Sequence, residues 1–275
     1  KLLETGLRNA QLLKDNGVTG LRAIDRDELV RREPALAAAK DKLAGALFSE
    51  QDESGDCALF SQRLAERVAA KGGQFLLGRS ITGLRSEQGK VTAVATDQGD
   101  VTADAYVLSL GSYSPQVARS VGLKVPIYPV KGYSLTVPVG PGHVAPQLPG
   151  VDEHYLVAFA RMGDKLRLTA TADFAGYDLT HSPKHFAPML RVARDLFPTG
   201  GDYENPSYWA CLRPMTPDGP PVVGRSKLEN LWFNTGHGHI GWTMACASAR
   251  VCADLMAGLP SPVPLDGLEP GRYAA

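Results

Sequence analysis

The chain has 275 residues, 44% of them hydrophobic and 21% charged, which is enough for one large or two moderate domains and is typical of soluble globular proteins rather than disordered ones. Its 29 Lys and Arg balance its 29 Asp and Glu, so it carries no basic footprint for nucleic acid. No apolar run approaches the roughly 20 residues of a membrane span and a signal peptide is not expected, while Cys57, Cys211, Cys246 and Cys252 show neither a CxxC pair nor a Cys/His metal spacing, so they read as buried free thiols of a reduced compartment.

The chain opens at Lys1 without methionine, inside a helical pattern through Leu7, Leu12 and Leu13, and so reads as a fragment with sequence expected upstream. Asp25 is placed to cap a second helix, with Glu28 reaching back to the helix start and Ile24 packing on Leu29, and Pro34 limits that helix to a short piece. Asp56 is a natural cap for a helix carrying Phe60, Leu64 and Val68 toward Gly72 and Gly73. Short strands are expected at residues 75–77, 81–84, 91–95 and 105–110, giving a βαβ-like half followed by a meander.

The middle third changes character. Residues 133–139, 155–161 and 166–171 alternate as half-buried antiparallel strands with long Gly/Pro-rich connections. Ser182 and Pro183 start a helix through Phe186, Leu190, Ala193 and Phe197, and a further strand runs over residues 207–212. The architecture inferred is an antiparallel sheet inserted between two α/β pieces.

The last stretch carries the most information. Leu231, Trp232 and Phe233 form an apolar strand, Asn234 and Thr235 lead out of it, and Gly236, Gly238 and Gly241 precede a helix with Ile240, Met244, Ala247, Val251 and Leu255 at helical spacing. Glycines let backbone approach a partner closely, and the N–H groups at the start of that helix favour an anionic or electron-rich one. The run from Gly236 to Gly241 satisfies the literal dinucleotide fingerprint, but that motif should open a βαβ unit with an acidic residue about twenty positions on, and here a Pro-rich tail follows. A plain packing turn between strand and helix is the competing reading.

Other polar groups read blandly. His181 and His185 lack a third ligand and are taken as surface or capping residues, and Ser112 and Ser114 lack a nucleophile elbow.

Several motifs together carry a resemblance: residues 52–60 (DESGDCALF), 103–107 (ADAYV), 111–114 (GSYS), 131–136 (KGYSLT) and 212–243. In this order they resemble the small subunit of bacterial D-amino acid dehydrogenases, within the D-amino acid oxidase-like FAD-dependent oxidoreductases. The resemblance covers essentially the whole chain but only the later two thirds of such a protein; the family's opening strand, Gly-rich turn and acidic ribose ligand have no counterpart here.

The resemblance implies an α/β plus α+β fold: a Rossmann-like FAD-binding domain lacking its first βαβ unit, with an antiparallel-sheet substrate domain. Residues 1–50 and 126–211 would belong to the substrate domain, and residues 51–125 and 212–275 to the FAD-binding domain. Ser80 and Ile81, after Arg79, would run past the adenine end of FAD, and Ser109 and Gly111, with Leu110 and Ser112, would end a strand beside the cofactor. Gly236, His237, Gly238, His239, Ile240, Gly241, Trp242 and Thr243 would hold the isoalloxazine, with helix N–H groups stabilising negative charge on the reduced ring. Arg213 would bind the substrate carboxylate through two parallel charge-assisted hydrogen bonds; a surface ion pair is the alternative. Tyr133 and Tyr155 would roof the site, with ordinary sheet packing an equal alternative.

The implied activity is oxidative deamination of a D-amino acid such as D-alanine to a 2-oxo acid and ammonia, with electrons passing to a quinone or respiratory acceptor. The implied location is cytoplasmic, with peripheral association at the inner face of the membrane left open. Two other readings stand beside it: a glycine- or sarcosine-type amine oxidase of the same fold, and a catalytically silent fragment that acts as an interaction module or binds its missing N-terminal segment.

Overall fold

The computed structural model describes residues 2–273. Helix α1 (Leu2–Asp15) leads to strand β1 (Leu21–Ile24) and helix α2 (Arg26–Arg32). Asp25 caps α2 as its spacing predicts, its carboxylate accepting from Glu28 N at 2.7 Å. Glu28 does not reach back to the helix start; its carboxylate takes Arg22 at 2.8 Å and Arg32 at 2.9 Å, because two guanidinium groups attract it more strongly than a neutral amide. Pro34 ends α2 and opens a 3₁₀ segment, Pro34–Lys42. Strand β2 (Ala46–Ser49) pairs antiparallel with β1. Helix α3 (Cys57–Ala70) starts where Asp56 accepts from Ala58 N at 2.9 Å and Leu59 N at 3.1 Å.

Strands β3 (Ile81–Glu87), β4 (Lys90–Thr96) and β5 (Gly99–Val101) form an antiparallel meander in which β5 lies outside the expected strands, followed by β6 (Tyr106–Leu108), which joins a different sheet, and helix α4 (Ser114–Arg119). Next come β7 (Tyr128–Pro138), β8 (Gly150–Asp152), β9 (Val157–Met162), β10 (Lys165–Asp173), helix α5 (Ala187–Leu196), β11 (Ser207–Met215), β12 (Val222–Arg225), β13 (Leu231–Thr235) and helix α6 (Gly241–Met256).

One expected strand does not form. Residues 75–77 are not a strand, because a strand needs a neighbour to take its backbone groups and none of the described strands pairs with this segment. Phe75, Leu76 and Leu77 are exposed, and so are Phe60, Leu64 and Val68 along α3. A second expectation fails by position: of the four unbridged cysteines only Cys252 is buried, while Cys57, Cys211 and Cys246 are exposed.

The chain divides into two compact units. The first comprises Lys1–Phe60, Gly132–Ala172 and Leu179–Cys211, and the second comprises Ser61–Lys131, Asp173–Asp178 and Leu212–Ala275. The first unit is built on the five-stranded sheet β11-β7-β10-β9-β8. Alternate residues Tyr133, Leu135 and Val137 of β7 and Leu166 and Leu168 of β10 face one core, closed by Phe186, Met189, Ala193 and Phe197. Glu33 is buried in this unit and accepts three backbone N–H groups: Ala35 at 3.1 Å, Gln147 at 2.6 Å and Leu148 at 2.8 Å.

The second unit holds the sheet β12-β13-β6, in which β13 is antiparallel to β12 and parallel to β6. Tyr106, Leu108, Leu231, Phe233 and Val222 pack there with Val117, Ala118, Val125 and Ile127. Val251 and Cys252 of α6 pack on Val223. Because β6 and β13 run the same way, the loops that leave them emerge on the same side of the sheet. That places the candidate site.

Candidate functional site

The parallel register sets Tyr106, Val107 and Leu108 beside Leu231, Trp232 and Phe233, so Ser109 to Ser112 and Gly236 to Gly241 leave adjacent strand ends. The buried Thr235 ties the two exits: its hydroxyl donates to Gly111 O at 3.3 Å and therefore accepts from Ser114 Oγ at 2.8 Å.

The end of β11 lies against both loops. Ser112 Oγ donates to Leu212 O at 3.4 Å, and Gly238 N donates to Pro214 O at 3.0 Å. The half-buried Arg213 stands between those two carbonyl-bearing residues. The closeness explains two glycines. Gly236 has φ 79°, and a Cβ there would lie 2.9 Å from Thr216 Cγ2; Gly238 has φ 58°, and a Cβ there would lie 3.0 Å from Met215 Sδ. Neither position suits an L side chain.

Helix α6 begins at Gly241 with Ile240 at its cap, which supplies no side-chain acceptor, and its first turn carries no acidic residue. The positive end of the helix dipole therefore faces the glycine turn without an acidic side chain at the cap or in the first turn. His239, Ile240, Trp242 and Thr243 are exposed.

His237 is turned away from this role. Its Nε2 lies 2.9 Å from Ser248 Oγ, and the serine hydroxyl donates to Ala245 O at 3.2 Å, so the imidazole is the donor to Ser248. Burial holds the His237 pKa below its ordinary value, which keeps the ring neutral. The ring pins the turn to α6.

Asn234 sits two residues before Gly236. Its Oδ1 is the one buried side-chain nitrogen or oxygen among the described residues with no hydrogen-bond partner. A buried acceptor of this kind is a cost unless a donor meets it.

The remaining sequence-predicted residues are spread more widely. Ser80 leads into β3, where its N–H donates to Asp97 Oδ1 at 2.9 Å and its carbonyl accepts from Asp97 N at 3.0 Å, and the exposed Ile81 opens the strand opposite Thr96. Ser109 is exposed at the exit of β6. Tyr133 and Tyr155 both belong to the first unit. Tyr133 is 2% exposed, its ring stacked on His185 at 5.2 Å and edge-on to Phe186 at 5.5 Å. Tyr155 is 60% exposed and lies in the turn between β8 and β9 rather than on a strand, its N–H donating to Asp152 Oδ1 at 2.8 Å. His185 has a capping contact, accepting at Nδ1 from Ser182 N at 3.0 Å.

Gly111, Arg213, Gly236 and Gly238 are therefore knitted into one cluster within the second unit. Sequence reasoning missed the residues that knit it. Ser114 and Thr235 are 121 positions apart, and nothing in either neighbourhood announces the other. Ser248, eleven residues after His237, carried a weak signal as a small polar residue on an otherwise apolar helix face.

Comparison with known proteins places the chain more firmly. The sequence model of the family described as DAO, FAD dependent oxidoreductase, matches residues 3–255. The D-amino acid dehydrogenase 2 of Mesorhizobium japonicum is 44% identical over 267 residues, covering 97% of this chain and 64% of that protein. The D-amino acid dehydrogenase of Chromohalobacter salexigens is 44% identical over 274 residues, covering 99% of this chain and 65% of that protein. The chain thus spans about two thirds of the length of these relatives. Among solved structures, glycine oxidase from Geobacillus kaustophilus superposes with a TM-score of 0.87 at 23% identity, covering 99% of this chain and 72% of that one. L-Proline dehydrogenase from P. horikoshii gives 0.84 at 20% identity, covering 98% and 73%. At these identities the two structures establish the shared fold.

Proposed function

The chain belongs to the family of FAD-dependent oxidoreductases, and from that premise we propose that it carries the substrate-binding and flavin-facing parts of a D-amino acid dehydrogenase. The relatives that share 44% of its residues are D-amino acid dehydrogenases, which supports this reading over other chemistries of the fold. The observation that carries it is Arg213, set between a loop that donates to Leu212 O and a glycine turn that donates to Pro214 O.

The residues present fit the cofactor. The cap residue of α6, Ile240, supplies no side-chain acceptor to the start of the helix, and Asn234 Oδ1 awaits a donor, while the glycines at 236 and 238 let the turn pack closely on Thr216 and Met215. Gly236, Gly238 and the first turn of α6 would hold the ring system, Ser109 and Gly111 would approach it with backbone, and Ser80 and Ile81 would pass its adenine end. FAD, when bound, supplies the two-electron acceptor for oxidation of the amino acid.

This chain's own residues do the rest. Arg213 binds the carboxylate in a bidentate geometry that fixes the position of Cα. The dipole of α6 favours negative charge at the glycine turn, and the neutral His237 keeps that turn in place without adding a competing charge. The amino acid loses its ammonium proton to solvent on binding and is held with its amine neutral, and on that condition no side-chain base is needed. The imino acid formed is hydrolysed by water to a 2-oxo acid and ammonia. A quinone or respiratory carrier would take up the electrons, and a lipid-soluble acceptor would bring the protein to the membrane surface.

The test is anaerobic bleaching of the flavin absorbance. A protein that carries this chain at the full length of its relatives is loaded with FAD and mixed separately with D-alanine, L-alanine and sarcosine. Bleaching by D-alanine alone supports the proposal. Bleaching by sarcosine alone moves the assignment to the amine oxidases, and failure to bind FAD sinks both.

A further inference from the structure

We propose that residues 173–178 form a strap that positions the site, with Tyr177 as a positioning residue for the Gly111–Ser112 loop and, through it, for Arg213. The chain leaves the first unit after Ala172, joins the second unit for residues 173–178, and returns to the first at Leu179. A loop connecting β10 to α5 could remain in solvent, yet this one is fastened at three points within the second unit.

At its start, Phe174 packs its ring on Tyr128, with centroids 5.6 Å apart. In its centre, Tyr177 sets its ring against Tyr113 at 5.4 Å, and its hydroxyl donates to Ser112 O at 2.8 Å. At its end, Asp178 accepts from Lys131 Nζ at 3.4 Å, and the lysine side chain is only 3% exposed. The approach is conformationally constrained too. Thr171 has φ 69°, an unusual region for a β-branched residue, and Gly176 has φ 59°. Backbone held in that region persists only where its surroundings over-determine it.

The path to Arg213 is short. Tyr177 fixes the carbonyl of Ser112, whose hydroxyl in turn donates to Leu212 O, the residue before Arg213. Removing the tyrosine hydroxyl frees the Ser112 carbonyl and loosens the support under the arginine. Tyr177 therefore touches neither substrate nor cofactor in this scheme; it acts through the loop. The link to carboxylate binding rests on the function proposed above.

The experiment compares the chain with its Tyr177→Phe variant, which keeps the ring contact and loses only the donor. Amide hydrogen exchange is followed by mass spectrometry in peptides covering residues 109–116 and 209–215, alongside urea unfolding. The expected result is exchange about twofold to tenfold faster in those two peptides, the range of one lost hydrogen bond, with peptides from β10 and the unfolding midpoint unchanged. In the FAD-loaded protein the KM for the amino acid rises by a similar factor while kcat stays within twofold. Unchanged exchange in both peptides overturns the proposal. So does a uniform acceleration with a lowered midpoint, which would make Tyr177 merely structural. If the unsubstituted protein oxidises no amino acid, the functional reading fails, and the exchange result alone decides whether the strap exists.

Discussion

The backbone N–H of Gly238 donates to the carbonyl of Pro214 at 3.0 Å, so the glycine turn before α6 and the strand end that bears Arg213 are one hydrogen-bonded piece. A group held over the glycine turn and an anion held by Arg213 would consequently be positioned by the same backbone.

Replacing Arg213 with Ala should therefore reduce kcat/KM for the amino acid by about 2–5 kcal/mol in transition-state binding, since the carboxylate loses its charged partner in a half-buried place. Arg213→Lys should recover part of this, because an ammonium keeps the charge without the two-pronged geometry. Steady-state kinetics on the FAD-loaded protein check it. Unaltered constants in the Ala variant remove Arg213 from the site.

The two glycines should differ in their tolerance of alanine. Gly236→Ala drives a Cβ to 2.9 Å from Thr216 Cγ2, and Thr216 is buried with its hydroxyl donating to Pro220 O at 2.9 Å, so it cannot turn aside freely. A cost of about 2–4 kcal/mol is expected from overpacking plus the positive φ. Gly238→Ala meets the flexible end of Met215 and should cost about 1–2 kcal/mol. Denaturant unfolding of both variants measures the difference, and equal losses would contradict the clash argument.

The His237 to Ser248 contact predicts a pH dependence. Burial lowers the His237 pKa below 6.5, so as pH falls past 6.5 the unfolded chain takes up a proton that the folded one does not. The stability this neutral histidine contributes is complete above about pH 6.5 and is lost progressively as pH drops toward the lowered folded value. Thermal unfolding between pH 8 and pH 5 should show a decline that flattens in His237→Gln. An identical slope in that variant would assign the pH effect to other groups.

Glu33 should be a strong stability determinant of the first unit. Its carboxylate serves Gln147 N and Leu148 N through one oxygen and Ala35 N through the other. Glu33→Ala takes the acceptor from the amides of Ala35, Gln147 and Leu148, of which Ala35 is buried and Gln147 exposed, and should cost about 2–4 kcal/mol. Glu33→Gln can still serve the Gln147 and Leu148 pair and should cost about 1–2 kcal/mol. The ordering is tested by urea titration; a Gln variant as unstable as the Ala variant would contradict it.

What the sequence determined by itself was local. Asp25 and Asp56 cap their helices because a short acidic side chain two or three residues ahead of a helical amide can bond nowhere better. The alternation through Tyr133, Leu135 and Val137 buries one face of β7 because strand side chains have a period of two. The glycines of the last turn were legible because positive φ and close backbone approach leave few other residue types.

The tertiary structure decided whatever depended on a partner far away in the chain. Residues 75–77 have strand-like composition but, among the described residues, no strand beside them to take their hydrogen bonds, and Glu28 found two arginines in place of its own helix start. Tyr155 reads as a strand residue but lies in a turn, since Asp152 accepts from its backbone and bends the chain there. Above all, Ser114 meeting Thr235, Tyr177 reaching Ser112 and Gly238 bonding Pro214 are contacts between segments whose proximity no local pattern encodes. Hydrogen bonds of this kind are specified by where strands end in space, and that is set by sheet order and register rather than by neighbouring residues.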